Sequence, residues 1–345
     1  MQIELDDADT NWARPGVYQV ADRVFRIPLP LPHAGLRAVN AYALADDGGL
    51  VLVDSGWGLE AARETLDEAL AALDRRVTDV RRFLVTHLHR DHYGLAVALR
   101  REFGQTVSLG DGERPSIEIL SEPTHKPMGA HAVLLARWGA GPLVDWLRAR
   151  WEDSNHDPAD WAPPDDWLTG GSDVTLPART LRVVATPGHT RGHVVFVDEH
   201  AGLLFAGDHV LPHITPSIGF EVAPAEQPLG DFLQSLRLVR EMPDRRLLPA
   251  HGPVRPSVHA RVDELLHHHA RRLDLTQRAV TGDTATAYEV ADRLTWTRRQ
   301  TPFADLDPFN QMLAVAETAA HLDLLVAQGR LKATETDAVR RYGDA

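Results

Sequence analysis

The chain has 345 residues, 43% of them hydrophobic and 25% charged, with a formal net charge of −13 and no cysteine. That length suits one large domain with a smaller appendage, and the composition is that of an ordinary globular protein. The negative balance offers no global basic field to nucleic acid or an anionic membrane. The missing cysteines exclude disulfides, thiolate metal sites and thiol nucleophiles. A metal would have to be held by imidazole and carboxylate, and eighteen histidines are present.

The opening MQIELDDADTNW is acidic and polar, with no basic segment leading into an apolar run. No apolar stretch approaches the roughly 20 residues needed to cross a bilayer, so a cytoplasmic location is expected. Residues 17–28 and 38–54 are β-rich and partly alternating, broken by Asp46-Asp47-Gly48-Gly49, which predicts paired antiparallel strands. Residues 58–74 switch to helical spacing, with Leu59, Ala62, Leu66, Ala69 and Leu73 on one face. The apolar run 82–86 predicts a short buried strand.

Residues 113–170 hold five of the eight tryptophans (Trp138, Trp146, Trp151, Trp161 and Trp167) among many prolines. They read as an inserted helix-and-loop excursion. Strand patterns return at 180–186, 193–198 and 202–207. From Pro256 the pattern is helical: Val262, Leu265, His269 and Leu273 mark one helix, and Leu313, Ala316, Ala320 and Leu324 another, stopped by Gly329. The last dozen residues are polar and are expected to be loosely held.

The segment THLHRDHYG places His87, His89, Asp91 and His92 within six positions, directly after the predicted buried strand. Four such side chains on a tight loop would repel one another or go unsatisfied in an ordinary core. They match a divalent ion bound by neutral imidazole and carboxylate. Three later motifs each put a ligand-type residue just beyond an apolar strand: His189 in TPGHTRGH, Asp208 in AGDH and His251 in PAHG.

These motifs, in this order, resemble the metallo-β-lactamase superfamily over roughly residues 17–255. The resemblance implies an α/β fold, an αββα sandwich, with two divalent metal ions at one edge between its sheets. On that pattern His87, His89 and His189 bind the first metal, Asp91, His92 and His251 the second, and Asp208 bridges them. Asp54, in LVLVDSG, matches the family's acidic residue beneath the site and would fix a ligand imidazole. His193 is a further candidate for support from behind. A hydroxide shared by two such ions is a strong nucleophile at neutral pH, and the ions polarise a carbonyl. Asp91 and Asp208 are therefore the candidate catalytic carboxylates, and zinc is the first expectation, with iron or manganese open to the same donors.

The expected organisation is a catalytic domain over 1–255, with 113–170 as a Trp-rich insertion able to act as a lid, and a helical module over 256–345. His209, His213, Trp138 and Trp146 are candidates for the substrate mouth. The C-terminal part resembles the winged-helix-like tail of the lactamase-beta-two-like group, beside glyoxalase II-like relatives. From Val254 to Ala345, however, twelve basic residues face thirteen acidic ones, with no clustered basic excess. Nucleic acid is accordingly a disfavoured partner, no membrane partner is expected, and a homodimer through the tail is open. The sequence thus favours a small acyl substrate, a thioester or other ester, with lactone hydrolysis and RNA or phosphodiester cleavage as alternatives.

Overall fold

The computed structural model describes every residue except 7–10, 33–34, 127, 152–155 and 282–283, and the side chain of Trp151. In chain order its elements begin with β1 (Ile3–Leu5), β2 (Val17–Ala21), β3 (Val24–Pro30), β4 (Ala38–Asp46), β5 (Gly49–Val53), α1 (Glu60–Ala72), β6 (Val80–Val85), α2 (Arg90–Phe103) and β7 (Thr106–Gly110). The inserted segment carries α3 (Arg114–Leu120), α4 (Gly129–Arg137), α5 (Gly141–Trp151) and β8 (Asp166–Leu168). β9 (Asp173–Leu176), β10 (Arg179–Ala185), β11 (Val194–Asp198), β12 (Leu203–Gly207), α6 (Pro228–Glu241) and β13 (Arg246–Pro249) follow. The chain ends with α7 (Val258–Ala279), α8 (Ala287–Asp292), the short β14 (Thr295–Trp296) and β15 (Thr301–Pro302), α9 (Pro308–Ala327), β16 (Leu331–Thr336) and β17 (Val339–Asp344).

Strands β1 to β8 form one sheet in sequence order, and the second sheet runs β13-β12-β11-β10-β9. The hairpins predicted around residues 17–54 are present, and β5, β6, β7 and β8 then pair in parallel. The alternation of strand side chains sorts the core into layers. Phe196 of β11 and Leu203 and Phe205 of β12 face Tyr42, Val53 and Leu84 of the first sheet. Their neighbours Val195, Val197 and Leu204 face the helices α6, α7 and α9 instead. On the other side, Ala62, Leu66 and Leu70 of α1 and Tyr93 and Val97 of α2 cover the first sheet. Both sheets are thus sandwiched between helices, the αββα arrangement.

Two expectations are corrected at the C-terminus. The last dozen residues are not loose, since β16 and β17 pair as an antiparallel hairpin with Leu331 and Tyr342 buried. They look polar because only one face of the hairpin is covered. Helix α9 also has no single apolar face. Met312, Val315, Ala319, Leu322 and Leu325 are all buried, whereas Leu313 and Leu324 are only half-buried. Its partners lie on several sides, α7, α8, α4, α5 and β16 among them. A helix wrapped in this way is apolar nearly all round, so periodicity misjudges its face. The predicted stop is present, with Gly329 at φ +69 just past the helix end.

Candidate metal centre

Every motif singled out in the sequence lies at the end of a strand, and all of these ends meet at one edge of the sandwich. β6 leads into His87, and His89 is the N-cap of α2, whose first turn carries Asp91 and His92. His189 lies between β10 and β11, Asp208 directly follows β12, and His251 lies two residues after β13. Four rigid strands therefore set the positions of side chains far apart in sequence.

The ligand atoms form two groups: His87, His89, His189 and Asp208, and Asp91, His92 and His251. In the first, His89 Nδ1 faces His87 Nε2 at 3.0 Å and His189 Nε2 at 3.1 Å. In the second, His251 Nε2 lies 3.3 Å from Asp91 Oδ2, and His92 Nε2 3.8 Å from the same oxygen. Asp208 joins the groups: Oδ2 is 3.5 Å from His189 Nε2, and Oδ1 is 3.4 Å from His251 Nε2 and 3.6 Å from His92 Nε2.

These separations fit metal ions. Donors about 2.0–2.1 Å from a tetrahedral ion lie roughly 3.3 Å apart. Three buried acceptors, His92 Nε2, His251 Nε2 and Asp208 Oδ1, have no hydrogen-bond partner. Unsatisfied buried polar atoms are costly, and a cation among them removes the cost.

The surroundings fix which nitrogen of each ring is free. His189 Nδ1 donates to the Ser217 carbonyl at 2.7 Å, and His251 Nδ1 to the Ala38 carbonyl at 2.8 Å. His92 Nδ1 donates to Asp54 Oδ2 at 2.9 Å. In the neutral ring each bond leaves Nε2 as the lone-pair donor. Asp54 also accepts from the Thr86 amide and hydroxyl, anchoring the residue before His87. Its φ of +60 places it in the left-handed region, which Asp tolerates better than most residues. The Asp208 amide donates to His193 Nε2 at 3.2 Å, and His193 Nδ1 contacts Thr186 Oγ1 at 2.8 Å. Asp54 and His193 thus hold ligands from behind.

Burial lowers the histidines of the first group, His89 to about 3 and His189 to about 4. Burial acts on His92 too, but Asp54, Asp91 and Asp208 together lift it to about 10. Burial alone would raise the Asp91 carboxyl, yet His92 and His251 hold it well below the usual carboxylate range.

Two residues beside the site escaped the sequence reading. Glu113 is wholly buried, and its Oε1 accepts from the Thr190 hydroxyl at 2.6 Å and the Leu88 amide at 3.3 Å. It therefore ties the loop carrying His87 and His89 to the loop carrying His189. The approach needs glycines: a Cβ on Gly192 would lie 2.2 Å from the Glu113 nitrogen, and one on Gly110 2.0 Å from the Gly192 carbonyl oxygen. A glycine pair before a lone glutamate was the available signal. His131, on α4, is also buried, with its ring 4.2 Å from that of Phe220 between centroids.

The candidate mouth residues divide. His213 is half-exposed beside Gly252, which follows the ligand His251, and it accepts from Arg255 Nη2 at 3.4 Å. His209 is corrected: it is fully buried between His193 and Phe232 and lines no opening. Trp138 is corrected likewise. It is 9% exposed in the core, and its carbonyl accepts from the Tyr288 amide of α8. Trp146 is half-buried against the same core. The inserted α4 and α5 pack on each other and on α9, whereas Ile117, Leu120 and Trp161 join the core under α1 and α2.

This fold and ligand geometry define a metallohydrolase centre. The model of the metallo-beta-lactamase superfamily matches residues 34–251, and the chain belongs to that superfamily. Along 88% of its length it is 24% identical to the "Probable metallo-hydrolase YqjP" of Bacillus subtilis, covering 92% of that protein. It is 26% identical to the "Lactamase-like protein nscB" of Aspergillus fumigatus over 75% of the chain and 62% of nscB. A metallo-beta-lactamase family protein from Thermus thermophilus superposes with a TM-score of 0.78 at 31% identity, over 95% of this chain and all of that one. A beta-lactamase domain protein from Burkholderia ambifaria gives 0.80 at 30% identity, over 99% and 98%. Among the described residues no helix is long and apolar enough to cross a membrane.

Proposed function

We propose that this protein is a dinuclear metal-dependent hydrolase acting on a thioester or other ester of a small acyl substrate. The observation that carries the reading is Asp208, which turns one carboxylate oxygen to each ligand group. Two divalent ions held there, zinc first and iron or manganese by the same donors, would supply an activated water and polarise a carbonyl. The chain's own part is to fix the orientation of the His92, His189 and His251 rings, through Asp54, Ser217 and Ala38.

An acyl substrate is preferred to a polyanion because the net charge is −13 and the C-terminal part has no basic excess. We place the chain beside glyoxalase II-like and lactamase-beta-two-like hydrolases. We read α8, α9 and the terminal hairpin as a winged-helix-like appendage that serves packing or homodimer formation.

The test is a panel of acyl-thioesters, aryl esters, lactones, bis(p-nitrophenyl) phosphate and RNA, assayed with the zinc-loaded protein. Thioester or ester turnover that disappears in Asp208→Ala is expected. Cleavage of RNA or the phosphodiester with none of the acyl substrates would overturn the ranking.

A further inference from the structure

Just beyond Ser217, whose carbonyl accepts from His189, three separate parts of the chain bring aromatic rings together. Helix α4 of the insertion contributes His131, the loop after β12 contributes Phe220, and the first turn of α9 contributes Phe309. The His131 and Phe220 rings lie 4.2 Å apart between centroids, tilted by 36°, and Phe220 and Phe309 meet edge-on at 5.7 Å. The loop is fixed at two points on its approach to Phe220. Three residues earlier the Ser217 carbonyl accepts from the ligand His189. Gly219, at φ +83, brings the backbone against α9, where a Cβ would lie 3.1 Å from the Ala316 carbonyl oxygen.

This wall is not sealed as a core would be. Phe309 is 41% exposed. A lone exposed phenylalanine is unremarkable. One in ring contact with a second phenylalanine, which itself stacks on a buried histidine and follows the loop that holds His189, has the features of a binding wall. Buried His131 Nδ1 has no partner, and burial lowers the ring to about 4, so the wall carries no charge from it near neutrality. Neutral, largely aromatic surface favours flat apolar groups, which stack offset or edge-on.

We infer that His131, Phe220 and Phe309 form the acyl subsite, and that it takes an aromatic or similarly flat apolar acyl group whose carbonyl points toward His89 and His189. This assignment rests on the hydrolase reading above and deepens it. It also gives the insertion and α9 a shared purpose, since each supplies one side of the wall.

Hydroxamates test the subsite without turnover, because acetohydroxamate and benzohydroxamate share one metal-chelating head and differ only in the group beside it. Their affinities would be measured by calorimetry on the zinc-loaded full chain. Benzohydroxamate should bind about tenfold more tightly than acetohydroxamate, the fold-change matching a good aromatic contact. Phe220→Ala should reduce that ratio to about twofold while acetohydroxamate affinity and zinc content stay unchanged. Phe309→Ala, at an exposed position that folding tolerates, should reduce it about threefold. Equal affinities in the unaltered protein, or a ratio that survives both substitutions, would overturn the subsite. Aryl preference with no ester or thioester turnover would overturn only the hydrolase reading. No binding of either hydroxamate would overturn both.

Discussion

Glu113 touches neither group of ligands, yet one of its oxygens accepts from the Leu88 amide, between His87 and His89, and from the Thr190 hydroxyl, next to His189. Outer partners of this kind set ligand orientation, and their loss costs about 10–100-fold in metal affinity. Glu113→Leu should show a loss of that size in chelator competition for zinc, whereas Glu113→Gln, which keeps an acceptor, should lose less. Equal affinity in all three proteins would mean the loops hold themselves. At this scale the clustering of these side chains was legible because each motif follows an apolar strand, and the motifs recur in one chain. Glu113 was not, because GDGERP reads like any exposed helix start. Its burial arises only when the loop at Gly192 closes over it. His209 failed in the opposite direction: adjacency to Asp208 suggested a mouth, but the turn after β12 drives its ring inward.

Elements hold the ligand loops as firmly as single residues do. Gly188, one position before His189, has φ +136, and a Cβ there would lie 2.4 Å from Phe232 Cα of α6. Gly188→Ala would combine backbone strain with a clash against a packed helix, so a loss of about 3 kcal/mol in unfolding free energy is expected. Denaturant titration would measure it; an unchanged midpoint would mean α6 can retreat freely. Strands and the amphipathic α1 and α7 were readable because each buries one face or, in the central strands, both. The terminal hairpin was hidden by its turn. Asp337 and Ala338 both have positive φ, the two-residue geometry normally advertised by Asn-Gly or Asp-Gly.

Across the whole molecule one core runs from Leu229 and Phe232 of α6 through Val262 of α7 to Met312 and Leu322 of α9. The helices that cover the second sheet are therefore packed with the C-terminal elements, a relation that no local pattern reports. Inside this core His269 Nδ1 contacts His321 Nε2 at 3.3 Å, and His321 Nδ1 donates to the Glu317 carbonyl at 2.7 Å. Burial lowers His321 to about 3 and His269 well below its ordinary value. Both folded values lie under the unfolded one of about 6.5, so the stability they allow is complete above that pH and is lost as pH falls below it. Urea midpoints of the metal-free protein should fall between pH 6.5 and 5. The fall should be shallower in a His269→Leu, His321→Leu double variant, by up to about 1.4 kcal/mol per pH unit for each proton. Identical slopes would contradict this.

The central claim is that Asp208 unites two ion sites in one centre, and titration of the metal-stripped protein with zinc tests it most directly. Two equivalents should bind per chain, and Asp208→Ala should lose tight binding at one or both sites. A single equivalent in the unaltered protein, or two equally tight equivalents in the variant, would contradict the account.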